Sequence, residues 1–303
     1  MAADARVYHQ PVLATEVAAL AQGCGRVVDA TLGGGGHAAL FRAAGAIVLG
    51  IDRDPDAIAA ARGALGDEGM EYLRDAFWSE EALGAIRRFE PDLVFLDLGV
   101  SSHQIDSATR GFSFRPGAPL DMRMEQTGET AADLLNRASK AELQTIFAEY
   151  GDERRAGRLA QEIVRRRAGE PFATSDHLVN AIRATLGPRS GPPEFARLFQ
   201  AVRVAVNDEL AGLAAVLPRL RDALRSGGRL AVISYHSGED RIVKQAFQEW
   251  CRACVCPPEA PVCACRGRPL GRLEPRKPIR PMEAETVRNP RARSATLRIF
   301  RQD

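Results

Sequence analysis

The stretch Arg26-Val27-Val28-Asp29-Ala30-Thr31-Leu32-Gly33-Gly34-Gly35-Gly36-His37 constrains this chain most. Two valines lead into an acid, glycines follow, and an Ala/Leu/Phe run continues to Ala44. The pattern predicts a buried strand, a tight turn and the first turn of a helix. Glycine is needed where backbone takes positive φ or lies against a ligand with no Cβ between them. N–H groups at the helix start then point into the space beyond the strand. Ligands of open α/β sheets bind there. The turn therefore reads as the cradle of a nucleotide-type cofactor.

The motif alone leaves the cofactor open. Gly33, Gly35 and Ala38 fit the dinucleotide pattern G-x-G-x-x-G/A. Asp29, four residues before Gly33, leans instead toward a methyltransferase. Residues 47–52 read as a second buried strand, with Asp54 and Pro55 as N-cap and N1 of the next helix. Asp52 ends that strand, and its carboxylate offers two acceptors for the hydroxyls of a ribose. Residues 70–73 form a short third strand. Phe77, just after it, either stacks on an adenine ring or joins the core. A fourth strand, 91–97, ends in Asp97 and enters Leu98-Gly99-Val100-Ser101-Ser102-His103-Gln104. If the strands are parallel, Asp29, Asp52 and Asp97 line one edge of one sheet.

From Arg110-Gly111-Phe112-Ser113-Phe114 onward the α/β rhythm stops. Helices are predicted over 131–138, 140–150, 153–167 and 175–186. This block is far longer than an ordinary strand-to-helix connection. It reads as an inserted all-helical subdomain, 107–198, between core segments 1–106 and 199–303. Arg154, Arg155, Arg158, Arg165, Arg166 and Arg167 fall in one of its helices, to contact phosphate or to form a solvated face. A helix from Phe199 to Leu224 resumes the core, followed by a fifth strand, 229–233. Tyr235 and His236 then sit on the edge that carries the acids. Residues 295–300 read as a closing strand. The fold class is α/β, a Rossmann-like, mostly parallel sheet with a helical insertion. The segment 266–303 holds eleven Lys/Arg against four Asp/Glu, a tail able to lie on nucleic acid or in solvent.

No apolar run approaches the roughly 18 residues of a membrane span, and residues 1–6 lack the apolar stretch of a secretory signal. Five of the six cysteines crowd into 251–265, unlike a secreted disulfide scaffold. These features point to the cytoplasm. Cys254-x-Cys256 and Cys263-x-Cys265 are candidate zinc ligands, although C-x-C is tighter than the usual zinc spacing; reduced, unmetallated thiols are the alternative. Cys24 and Cys251 read as small apolar residues.

Several strings together resemble one family. They include His9-Gln10-Pro11-Val12-Leu13, the glycine turn, Gly50-Ile51-Asp52-Arg53-Asp54-Pro55, Leu96 through Gln104, and Arg110-Gly111-Phe112-Ser113-Phe114. Further ones are Pro119-Leu120-Asp121-Met122-Arg123-Met124, Phe199-Gln200-Ala201-Val202-Arg203, Asn207-Asp208-Glu209-Leu210, Tyr235 through Lys244, and Asn289 through Ala295. The chain resembles the bacterial ribosomal RNA small subunit methyltransferase H family along nearly its whole length. His103 and Gly238 stand where that family usually has proline and leucine.

The resemblance implies a class I methyltransferase fold and S-adenosyl-L-methionine as cofactor. It implies methylation of the N4 amine of a cytidine in the decoding region of 16S rRNA, within the small ribosomal subunit. Cofactor contacts carry over to Gly35, Gly36, His37, Asp52, Phe77, Asp97 and Gln104. For catalysis the candidates are Asp97, Ser102 in the loop after it, and Tyr235 and His236 across the edge, to stack on cytosine or take its proton. For His37 and His236 the other reading is a buried ring satisfied by its neighbours. Two rival functions stand beside this one: a DNA cytosine-N4 methyltransferase, whose Pro-Pro-aromatic loop is missing here, and a noncatalytic RNA-binding assembly factor; a nicotinamide dehydrogenase comes third.

Overall fold

The computed structural model describes residues 11–100, 105, 107–257, 262 and 264–303. The chain divides into two units, Met1–Gly99 with Ala211–Asp303, and Val100–Leu210.

The first unit is built on a seven-stranded sheet in the order β3-β2-β1-β4-β5-β7-β6. Its strands are β1 (Arg26–Asp29), β2 (Ile47–Asp52), β3 (Met70–Arg74), β4 (Leu93–Asp97), β5 (Arg229–Ser234), β6 (Gly271–Leu273) and β7 (Thr296–Gln302). Strands β1 to β5 pair in parallel, and β7 runs antiparallel to both β5 and β6. Helices cover both faces, which is why the central strands read as apolar runs without alternation. Val28, Val94, Leu96, Leu230 and Val232 pack on one side with Leu217, Phe247 and Trp250. Val27, Leu93, Phe95, Ala231 and Ile233 pack on the other with Val17 and Phe41. Each fully buried Val, Leu, Ile or Phe among them is worth about 1.5–3 kcal/mol relative to exposure.

The helices of this unit before the insertion are α1 (Ala14–Ala21), α2 (Gly36–Ala43), α3 (Pro55–Leu65) and α4 (Glu80–Phe89). Asp54 caps α3 by accepting from Asp56 N at 3.1 Å, with Pro55 in the first turn, as the sequence predicts. Helix α1 starts at Ala14, after Leu13 takes a left-handed conformation with φ 55°.

The second unit holds α5 (Ala131–Arg137), α6 (Lys140–Thr145, continuing as a π-turn over Ile146–Tyr150), α7 (Ala156–Arg167), α8 (Ser175–Leu186) and α9 (Pro192–Val206). Leu134, Phe147, Leu159, Ile163, Leu178, Leu198 and Phe199 form its own core. The family-like strings brace this unit. The Arg110 guanidinium donates to Arg123 O and Met124 O, both at 3.0 Å. Asn207 accepts from Met124 N and donates to Met122 O. Gly111, at φ 71°, lies so close to Pro119 O that a Cβ would clash.

One helix from 199 to 224 does not form. Helix α9 begins at Pro192 and places Phe199 in the core of the helical unit. It ends at Val206, Asp208 turns at φ 50°, and α10 (Glu209–Asp222) starts anew. The remaining helices are α11 (Ser237–Trp250) and α12 (Glu283–Arg288). The basic segment is partly neutralised, with Arg298 on Asp240 at 2.7 Å and Arg272 on Asp303 at 3.2 Å. Among the described residues no helix is long and apolar enough to cross a membrane.

Candidate active site

Strand β1 stops at Asp29, whose register partners are Gly50 on β2 and Phe95 on β4. Its neighbours run on to Asp52 and Asp97, leaving a notch in the sheet edge between them. Past Asp29 the backbone serves both sides: Ala30 N donates to Phe95 O and Leu32 N to Ile51 O, each at 2.9 Å. Strand order reverses between β1 and β4, the place where ligands of such sheets bind. The three acids therefore do share one edge.

The glycine turn follows. Gly33 and Gly35 have φ 52° and 83°, and a Cβ on Gly35 would lie 2.8 Å from Leu65 Cδ1. Helix α2 then starts at Gly36 without a side-chain cap, and the Ala38 N–H of its first turn is turned toward Asp29. Asp52 Oδ2 accepts from Gly33 N at 2.8 Å and Oδ1 from Asp54 N at 2.9 Å. Burial nevertheless pushes Asp52 up to about 6. Asp29 is buried, accepts from Thr31 N at 3.3 Å through Oδ1, and has no hydrogen-bond partner at Oδ2. Burial pushes it up to about 8, with Asp97 and Asp52 adding to the rise. Phe77 is buried, its ring edge-on to Trp78 at 4.7 Å, at the end of β3 next to Asp52's strand.

Asp97 is the hub. Its backbone N donates to Thr31 Oγ1 at 2.6 Å, and its Oδ1 accepts from the Tyr235 hydroxyl at 2.7 Å. His37 Nδ1 stands 3.6 Å from its Oδ2. His37 Nε2 lies 2.9 Å from Val12 O. A carbonyl only accepts, so Nε2 carries the proton and Nδ1 is a bare acceptor. Burial lowers His37 to about 4, so the ring is neutral near pH 7 and the contact with Asp97 is not an ion pair there, despite its length. Burial first, then Asp97, raises Tyr235 well above the usual phenol range, which keeps it a donor. The site thus presents a carboxylate and an imidazole nitrogen, both acceptors, side by side.

His236 is held by the helix that it opens. It is the N-cap of α11: Nδ1 accepts from Glu239 N at 3.4 Å, and Nε2 stands 3.0 Å from Glu239 Oε1, though not aligned for a hydrogen bond. Its ring is engaged by its own helix. Ser102 and Gln104 lie outside the described residues, as does Cys263, while Cys254, Cys256 and Cys265 come together elsewhere in this unit. Two contributors escaped the sequence reading. Thr31 fixes the backbone of Asp97, and buried Glu239 accepts from Tyr235 N at 2.8 Å. Glu239, three residues after the cap, carries a capping-box signal that could have found it.

The residues fit S-adenosylmethionine. An orphaned buried carboxylate oxygen sits at the base of the glycine turn, an acid ends β2, and an acceptor pair ends β4. These groups stand at the switch point of an open, mostly parallel α/β sheet, and the chain is an S-adenosylmethionine-dependent methyltransferase. The chain belongs to the MraW methylase family, whose model matches residues 6–303. It is 55% identical over 305 residues to the ribosomal RNA small subunit methyltransferase H of Gemmatimonas aurantiaca, covering 97% of this chain and 95% of that one. The proteins of the same name from Heliobacterium modesticaldum and Rubrobacter xylanophilus are 45% and 46% identical, over 96% and 97% of this chain and 97% and 96% of their own.

Proposed function

We propose that this chain methylates the N4 amine of a cytidine in 16S rRNA of the small ribosomal subunit, in the cytoplasm. The observation that carries the reading is the acceptor pair of Asp97 and His37 Nδ1 beside a cofactor cradle. Cytosine N4 has its lone pair delocalised into the ring and is a poor nucleophile. S-adenosylmethionine supplies a methyl group already activated on a sulfonium. Asp97 accepts an N–H of the amine and turns the remaining lone pair toward the methyl; positioning of this kind can supply about 7–11 kcal/mol. Positive charge growing on N4 is met by that carboxylate. Tyr235, itself a donor, holds Oδ1. The proton released from N4 finds acceptors at Asp97 Oδ2 and His37 Nδ1. Gly35, Gly36 and His37 hold the methionyl end, Asp52 takes the ribose hydroxyls, and Phe77 closes the adenine side.

The helical unit offers a surface for RNA. Lys140, Arg154, Arg155 and Arg158, with Gln144 and Gln161, line a cleft of about 730 Å³. Phosphate contacts of this type supply most of the sequence-independent affinity for nucleic acid. The other arginines of the run make their contacts within this unit. Arg165 and Arg166 hold Glu162, whose carboxyl they draw down to about 2, and Arg167 donates to Leu135 O and Ala138 O.

The test is transfer of labelled methyl from S-adenosylmethionine to small-subunit particles and, separately, to duplex DNA. Label in the particles and none in DNA is expected. Label in DNA alone, or cofactor binding without transfer to either, would replace the reading with one of its two rivals.

A further inference from the structure

We infer that Cys254, Cys256 and Cys265 hold a zinc ion that fastens the connection between α11 and β6. Their Sγ atoms lie within 4.8 Å of one another, and Cys254 and Cys265 are 3.7 Å apart. A tetrahedral ion with Zn–S bonds of about 2.3 Å spaces its sulfurs about 3.8 Å apart, so the observed separation is that of co-ligands. A disulfide needs about 2.05 Å. Val255 N donates to Cys265 Sγ at 3.4 Å, the kind of contact that steadies a ligating thiolate.

The segment around these thiols needs such a fastener. From Cys251 to Leu270 the described residues form no helix or strand, and none of them is buried. Val262 is 76% exposed. The stem is closed by Leu270 N on Trp250 O at 2.8 Å and by Arg266 donating to Glu249 O and Arg252 O. Beyond that stem no apolar burial among the described residues offsets the conformational entropy of ordering the loop. Cysteines that serve as small apolar residues are buried, as Cys24 is; these three are exposed or half-buried. Soft thiolates select zinc among the common divalent ions. On binding, each thiol releases its proton to solvent and ligates as thiolate. The site rests on these three residues; Cys263 lies outside the described ones.

The experiment is metal analysis of the full chain, purified in reductant without chelators, supplemented with zinc and desalted. About one equivalent of zinc is expected, as for a structural thiolate site. Cys254→Ser and Cys265→Ser should each retain under about a tenth of it, since loss of one ligand weakens such sites steeply. Cys251→Ser should retain all of it. Because a serine variant can lose zinc through misfolding, cobalt substitution of the wild-type chain gives a second readout, thiolate-to-metal charge-transfer absorption. Wild-type protein without zinc and without that absorption, or a Cys254–Cys265 disulfide in reduced preparations, overturns the inference. So does full zinc in both serine variants.

Discussion

The Tyr235 hydroxyl donates to Asp97 Oδ1 at 2.7 Å, joining two residues 138 positions apart in the chain. The contact exists because β4 and β5 are parallel neighbours, with Asp97 in register with Ile233. Glu239 anchors the backbone of Tyr235 from the start of α11. The carboxylate is thus held by a phenol that burial keeps protonated.

Tyr235→Phe removes that donor and leaves the ring. A hydrogen bond to a charged group is worth about 1.5–3 kcal/mol, so turnover should fall about ten- to a hundredfold and the melting temperature should drop by about a few degrees. Single-turnover rates at saturating cofactor check this. A rate within about twofold of wild type would show that Asp97 needs no positioning from Tyr235.

Cofactor affinity should rise with pH through about 6. Asp52 in the ligand-free protein is raised to about 6 by burial, and only its ionised form accepts from two ribose hydroxyls. At pH 5, about one unit lower, about a tenth of the molecules carry the charge. Calorimetric titration with S-adenosylhomocysteine should show binding about tenfold weaker at pH 5 than at pH 7.5. Asp52→Asn should bind weakly with a flat profile across that range; a profile like that of wild type would exclude Asp52 as the titrating group.

Asp29 gives a stability prediction of defined sign. Its carboxyl rises to about 8 in the folded chain, so the folded state holds a proton that the unfolded state gives up near the ordinary carboxylate value. Its contribution is complete at low pH and is lost as pH rises toward and through 8. Asp29→Asn, neutral throughout, should gain melting temperature relative to wild type as pH rises from about 4 to about 8. Parallel curves over that interval would mean that Asp29 ionises without cost.

Much of this site was legible in the sequence because single residues carry it. Asp29, Asp52 and Asp97 each end an apolar run, and parallel pairing of β2, β1 and β4 brings them to one edge. The break between α9 and α10 was not legible. Val204 through Leu210 keeps helical spacing, and the chain turns there because of distant partners. Asn207 bonds to Met122 and Met124, while Arg203 and Glu209 form a paired fork at 2.8 and 3.0 Å. Strand β6 has three residues, too few to show a period. The role of His236 depends on where Glu239 turns its carboxylate, which spacing alone suggests but does not decide. Which arginines of the run face a cleft and which serve the fold likewise depended on Glu162 and on the carbonyls of Leu135 and Ala138.

Replacing Arg154 and Arg158 with glutamate should weaken binding to rRNA about tenfold or more. It should also flatten the salt dependence by about one unit of slope for each phosphate no longer neutralised. Cofactor affinity should be unchanged. Filter binding across a salt series checks this, and unaltered slope and affinity would remove the cleft from the RNA surface.

The most direct measurement is mass mapping of modified nucleotides in 16S rRNA after small-subunit particles are incubated with the enzyme and isotopically labelled S-adenosylmethionine. The expected result is label on the N4 of a cytidine with wild-type protein and none with a folded Asp97→Ala variant. Label on a ring carbon or a ribose oxygen, or labelling by Asp97→Ala at near wild-type rate, would contradict the placement of Asp97 at the reacting amine.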